Sequence, residues 1–130
     1  MDILDLREYL LSLPRAEETT PFDDSTIVYK IAGKWFVVAD VDDLSHVVIH
    51  HPVERGIELR DEWREVGPAW HFNKRYWSSV RLDGDLPEEV LRRLIYDSYM
   101  FTIHHNVTPK ALREELLREA AILSENYLEK

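Results

Sequence analysis

The chain has 130 residues, no cysteine and a formal charge of −9. One domain is the expected organisation at this length. Disulfides, thiol catalysis and thiolate metal sites are excluded, and the acidic balance speaks against broad, non-specific nucleic-acid binding while leaving room for a local basic patch. The start, Met1-Asp2-Ile3-Leu4-Asp5, lacks the basic region and apolar run of a signal peptide, and no stretch reaches the ~18 apolar residues of a membrane span, so a cytoplasmic location away from membranes is expected.

Ile3, Leu6, Leu10 and Leu13 recur at helical spacing and predict a helix over 2–12, with Asp2 as N-cap and Pro14 as its end. Residues 15–25 read as an acidic connector, with Pro21 and Asp23-Asp24 as turn residues. Three strands follow. In 26–31, Ile27, Tyr29 and Ile31 share one face and Val28 and Lys30 the other; Ala32-Gly33 is a tight turn. In 34–41, Phe36 and Val38 are expected to face away from Trp35 and Val37. Asp42-Asp43 breaks this strand, and 46–51 is the third.

Pro52 suits the first turn of a helix over 53–64, which Gly56 weakens. Gly67-Pro68 ends that segment. Residues 69–72 and 76–82 predict a second hairpin turning at Asn73-Lys74, followed by a turn at Asp83-Gly84. Asp85 and Glu88 stand at capping-box spacing ahead of a helix that runs to about His104, with Val90, Leu91, Leu94, Ile95, Ser98 and Phe101 as its apolar stripe. Thr108 and Pro109, as N-cap and first helical residue, open a last helix with Leu112, Leu116, Ala120, Leu123 and Tyr127 along one side. The expected fold is α+β: a two-layer sandwich in the order α-β3-α-β2-α, with an antiparallel sheet and an extra C-terminal helix.

No catalytic pattern stands out. The four glycines, at 33, 56, 67 and 84, form no phosphate loop, and neither a Gly-x-Ser-x-Gly elbow nor a His-Glu-x-x-His helix is present. A non-enzyme without cofactor or metal is expected. His46 and His50 share a strand face and, joined by His71 or a carboxylate, could begin a zinc site; half-exposed strand histidines explain the same pattern. His104-His105 suit the negative end of a helix when protonated.

The segment 66–82 is the most distinctive. It holds Lys74, Arg75 and Arg81, no acidic residue, and the aromatics Trp70, Phe72, Tyr76 and Trp77. Cations among aromatics can grip phosphates and stack on bases; a half-buried hairpin with its aromatics inward accounts for them equally. Lys34 occupies the first hairpin tip, either as a solvated turn lysine or, if both tips project together, as one of two wings straddling a duplex. The C-terminal helix either covers the open core of its own domain or pairs with a second copy in a homodimer.

These residues carry a resemblance. Gly33-Lys34-Trp35-Phe36, then Gly67 through Trp77 (Gly-Pro-Ala-Trp-His-Phe-Asn-Lys-Arg-Tyr-Trp), then Leu82-Asp83-Gly84-Asp85-Leu86-Pro87, Leu94-Ile95 and Ser98-Tyr99 resemble the MmcQ/YjbR family, and Pro21-Phe22 fits too. The likeness covers about 1–106, leaving 107–130 as a C-terminal helical extension of the same domain. It implies a fold similar to secretion chaperones and frataxin-like (CyaY-like) proteins, and a non-enzymatic protein binding double-stranded DNA through a double wing. On that reading Lys34, Lys74, Arg75 and Arg81 contact phosphates, while His71, Asn73 and Trp77 order the second hairpin or touch a ligand. Two departures weaken phosphate binding: His50-His51 stand where the family commonly has a lysine, and Asp23 replaces a glycine. The rival reading is a protein-interaction module, with a partner on the sheet or the C-terminal helix and no nucleic acid.

Overall fold

The computed structural model describes residues 2–21 and 25–128, with side chains to residue 122. The turn placed at Asp23-Asp24 and the helix contacts of Leu123 and Tyr127 lie outside the described residues. The elements are α1 (Ile3–Ser12), β1 (Ala16–Thr19), β2 (Thr26–Ile31), β3 (Lys34–Asp40), β4 (Asp43–His50), α2 (Val53–Glu62), β5 (Val66–Pro68), β6 (Trp77–Arg81), α3 (Glu88–Asn106) and α4 (Lys110–Leu128). The six strands form one sheet, β1-β2-β3-β4-β6-β5, antiparallel at every pairing. The expected α+β architecture with its extra C-terminal helix is present.

All four helices bury apolar side chains against one face of the sheet. Leu6 and Leu10 from α1, Leu59 from α2, Leu94, Ile95 and Tyr99 from α3, and Leu116 and Ala120 from α4 meet Tyr29, Ile31, Val37, Val47, Ile49 and Val80 in one core. Of the stripe expected along α4, Leu116 and Ala120 are buried in this core and Leu112 packs against it. Among the described residues the opposite sheet face carries no helix and a small cluster: Val28, Val38, Val48 and Ala69, flanked by Trp35, Phe72 and Trp77.

Several local expectations need correction. Residues 16–19 are a strand, not connector; Ala-Glu-Glu-Thr has no apolar alternation, and it is held by backbone pairing to β2 and by Glu18, which accepts from Arg7 and from the Tyr29 hydroxyl. Residues 69–72 are loop, and the strand is Val66–Pro68, pairing with β6 through Val66↔Val80 and Pro68↔Ser78. The Asp85–Glu88 capping box does not form: Pro87 holds the N-cap position without a side-chain bond, and the Asp85 N–H donates to buried Glu65 instead. In α4 the Pro109 carbonyl accepts from the Arg113 N–H, so helical geometry begins one residue later than expected, at Lys110.

The most consequential correction is in β3. Tyr29 pairs with Val37 but Lys30 pairs with Trp35, so Phe36 is an extra residue, a β-bulge. The alternation slips there: Phe36 and Val37 both face the helices, and Trp35 and Val38 both face the open side. The predicted pairing of Phe36 with Val38 is overturned. Beside the bulge the β3–β4 ladder stops at Val37↔Ile49. Ser98 of α3 takes over: the His50 N–H donates to Ser98 Oγ (2.8 Å), which donates to the Phe36 carbonyl (2.5 Å).

Gly56 has a packing reason that its helix position conceals. A Cβ there would lie 2.2 Å from His51 Cε1. The His51 ring is pinned, donating from Nδ1 to the Pro52 carbonyl and accepting at Nε2 from Ser78. Gly56→Ala gains about 1 kcal/mol of helix propensity, but the overpacking cost of about 1–3 kcal/mol should outweigh it, giving a net loss in urea denaturation. Ser98→Ala should cost more, about 2–6 kcal/mol, because it strands two buried backbone groups at roughly 1–3 kcal/mol each. An unchanged denaturation midpoint in Ser98→Ala would mean that the two strands close directly on each other.

Candidate functional site

Strand register decides what meets on the open face. Ile31 pairs with Lys34, and His50 pairs with Trp77, so the start of β3, the end of β4 and the start of β6 lie at one end of the sheet. The β2–β3 turn and the 69–76 loop both emerge there. The first is a two-residue turn with Ala32 at φ 50° and Gly33 at φ 79°, the left-handed geometry of a tight hairpin. The second folds over the open face, burying Ala69 and half-burying Phe72.

Between this loop and the strands lies a cleft of about 840 Å³, within the range of roughly 300–1,000 Å³ usual for ligand sites. Trp35, Trp70, Phe72 and Trp77 supply its aromatic walls, and Val38 and Val48 part of its floor. Lys34, His71 and Asn73 line its hairpin end, while Asp40 and His46 line it further along β3 and β4. Asp40 accepts from the Asp42 N–H, and His46 stands 3.4 Å from Asp43. The cleft is therefore apolar along its walls and floor, cationic at the tips and anionic at the far end.

Asn73 orders the loop, as its place in a predicted turn implies. Its side chain accepts from the Arg75 N–H, and its carbonyl accepts from the N–H groups of Tyr76 and Trp77. His71 is exposed with φ 72°, a left-handed conformation that a non-glycine residue adopts at some cost. Trp77 stacks on His50 at 4.3 Å and tilts against Phe72 at 5.4 Å. Lys74 Nζ lies 5.2 Å from the ring centre of Trp70, which is 74% exposed. Arg60 of α2 secures the loop from behind, donating to the Lys74 carbonyl and to Ser78 Oγ.

Lys34, Lys74 and Arg75 have no carboxylate partner among the described residues. Arg81 is different. It sits at the far end of β6 in a two-pronged pair with Asp83, both contacts 3.0 Å, so its charge is spent and it does not join the other three. Of the four cations expected to contact phosphates, Arg81 is thus the one at the opposite end of β6.

His50 is the residue that sequence patterning flagged for another reason. It is 9% exposed, and it bonds Thr102 Oγ1 through Nδ1 at 2.8 Å. Thr102 donates its proton to the Ser98 carbonyl (2.9 Å), so it accepts from His50, which places the imidazole proton on Nδ1. Nε2 is then a free acceptor, with no protein partner among the described residues. Burial pushes His50 down to about 4, and the neighbouring His51 and His105 act in the same direction. Burial likewise lowers His51, opposed by its bond to Pro52 and reinforced by Arg60. His46, His50 and His71 all line the cleft, yet among the described residues no three His, Asp or Glu side chains are grouped to hold a metal ion.

Of the residues expected at a site, Lys34, His71, Asn73 and Trp77 line one cleft, with Lys74 and Arg75 on its loop. Trp35, Trp70, Phe72 and His50 complete it. Their sequence signal was the aromatic density of 66–82 and the shared face of His46 and His50. Trp35 could not be placed without the bulge.

The YjbR family model matches residues 11–101. Escherichia coli K12 YjbR is 30% identical over 119 residues, covering 91% of this chain and 99% of that protein. YbdF of Escherichia coli O157:H7 is 28% identical over 94 residues, 72% of this chain and 77% of YbdF. Among solved structures, a Deinococcus radiodurans protein with the DUF419 domain superposes with a TM-score of 0.79 at 36% identity, covering 89% of this chain and 88% of that one. A Pseudomonas syringae protein shares the fold at 22% identity, with a TM-score of 0.65 over 78% of this chain and 99% of its own.

The state of His50 gives a pH signature. Above about 6.5 the imidazole is neutral folded or unfolded and adds no pH dependence. Below that, the unfolded chain takes up a proton that the folded chain refuses until about 4, so stability falls as pH drops through this window. At pH 5 the loss is about 2 kcal/mol relative to pH 7. In thermal denaturation, His50→Gln should lose less between pH 7 and 5, retaining only the His51 part. An identical loss in the variant would show that His50 is not held neutral.

Proposed function

The chain belongs to the YjbR family, and on that premise we propose that it is a non-catalytic binding protein that holds DNA phosphates at the end of the sheet where its two hairpins project. Strand register carries the proposal: it puts Lys34 on one side of the cleft and the loop bearing Lys74 and Arg75 on the other. Each of these cations is exposed, and Asn73 and Arg60 hold the backbone that presents two of them.

Three cations on a chain of net charge −9 set the scale of the interaction. Each phosphate neutralised adds about 0.7 to 0.9 to the slope of log affinity against log salt, so three contacts give a slope of about −2 to −3. Elsewhere the acidic surface repels the polyanion, which confines contact to the tips.

Fluorescence anisotropy of labelled DNA from 50 to 200 mM salt measures this directly. The affinity should fall about 16- to 64-fold over that range. Lys74→Ala/Arg75→Ala should weaken binding at low salt and flatten the slope to about −1. Arg81→Ala should leave both unchanged, since its charge is already paired with Asp83. Binding that survives the double substitution, or that fails with Arg81→Ala, would move the contact surface away from the hairpin tips.

A further inference from the structure

We infer that the cleft between the 69–76 loop and the open sheet face is a stacking site for an unpaired nucleobase, so that the strand held at the hairpin tips is single rather than duplex. This rests on the phosphate-holding reading above and specifies its ligand.

The walls make the first part of the case. Trp35, Phe72 and Trp77 are half-buried, and Trp70 is 74% exposed at the mouth. Flat apolar walls in a cleft of about 840 Å³ suit a flat ring. Every base has such a face, but in a duplex both faces are covered by neighbouring pairs. Only an unpaired base can lie against an indole.

The polar groups make the second part. A base is an apolar plate with N–H donors on its edge, and the cleft wall includes His50, whose Nε2 is an acceptor without a protein partner among the described residues. Low basicity keeps it an acceptor through the neutral range. A base in the cleft must also be joined to phosphates outside it, and Lys34, Lys74 and Arg75 stand at that end. Asp40 and the His46–Asp43 pair occupy the opposite end, which sets the direction in which the backbone leaves. Three tip cations hold a few phosphates of one strand without the wide basic face that a rigid duplex would need.

The test compares four probes on full-length protein at fixed low salt by anisotropy: a labelled single strand of mixed sequence, its duplex, an abasic sugar–phosphate oligomer of the same length, and free nucleoside monophosphate as competitor. The single strand should bind about tenfold more tightly than either the duplex or the abasic oligomer. Trp70→Ala, at a position too exposed to disturb folding, should lower single-strand affinity severalfold and abasic-oligomer affinity by a smaller factor, since Lys74 rests on the ring. Intrinsic tryptophan emission should be quenched by the strand but not by the abasic oligomer. Equal binding of strand, duplex and abasic oligomer, with no effect of Trp70→Ala, would overturn the stacking site and leave the phosphate grip standing. Absence of binding by all probes would overturn both. Displacement by free monophosphate at concentrations matching the strand's would reassign the cleft to a small molecule and overturn the inference of a strand.

Discussion

The open face depends on one hydroxyl. Where β3 carries its extra residue, Phe36, the ladder to β4 ends, and Ser98 bridges the gap by accepting from His50 N–H and donating to Phe36 C=O. A buried N–H and C=O left unpaired would each cost more than an ordinary net hydrogen bond contributes, so the bulge persists because a side chain from the helical layer satisfies both. With the bulge in place, Phe36 joins the main core and packs edge-on against Tyr99 at 5.3 Å, while Trp35 comes round to the face of Val38. Thr102, one turn beyond Ser98, then fixes the His50 ring. Three consecutive features of the cleft, Trp35, His50 and the Trp77 stacked on it, thus trace back to one turn of α3.

Electrostatics divide the molecule in a way that its net charge hides. Several cations are committed to nearby carboxylates, among them Arg7 to Glu18, Arg15 to Glu115 and Glu119, Arg81 to Asp83, and Arg92 to Glu88. These exposed pairs add little stability individually. Their effect is to cancel local fields, while Lys34, Lys74 and Arg75, without a carboxylate partner among the described residues, make the hairpin end positive. The two histidines where the family resemblance expects a lysine extend the same division inward. Both are buried and held in the neutral form by that burial; His51 is engaged by Pro52 and Ser78 under α2, while His50, engaged by Thr102, adds shape and hydrogen-bonding capacity to the cleft in place of charge.

Much of the candidate site was legible as a composition. The run from Val66 to Leu82 concentrates aromatics and cations in an otherwise acidic chain, and Asn73 carries its turn role in its own side chain. What could not be read was partnership. Arg81 looks like Lys74 and Arg75 on paper, yet antiparallel pairing with His46 carries it to the other end of β6, beside Asp83. The strand at 16–19 was invisible for a related reason: as an edge strand it needs backbone partners more than apolar side chains. Gly56 reads as a weak helix residue until the pinned His51 ring shows why nothing larger fits.

The amino-acid order by itself determined the α+β class, the position of most helices and strands, the Ala32-Gly33 turn and the family, because these follow from hydrophobic period, turn chemistry and local motif. Those forces act over a few residues and leave their mark in the chain. Only the tertiary structure decided which residues face the cleft, which cations remain free and which tautomer His50 adopts. Each of these depends on a contact between distant segments: Ser98 with the splayed strands, Arg81 with its register, His50 with Thr102. A single inserted residue reverses strand alternation, and whether that insertion is tolerated is settled by a hydroxyl some fifty to sixty positions away in sequence.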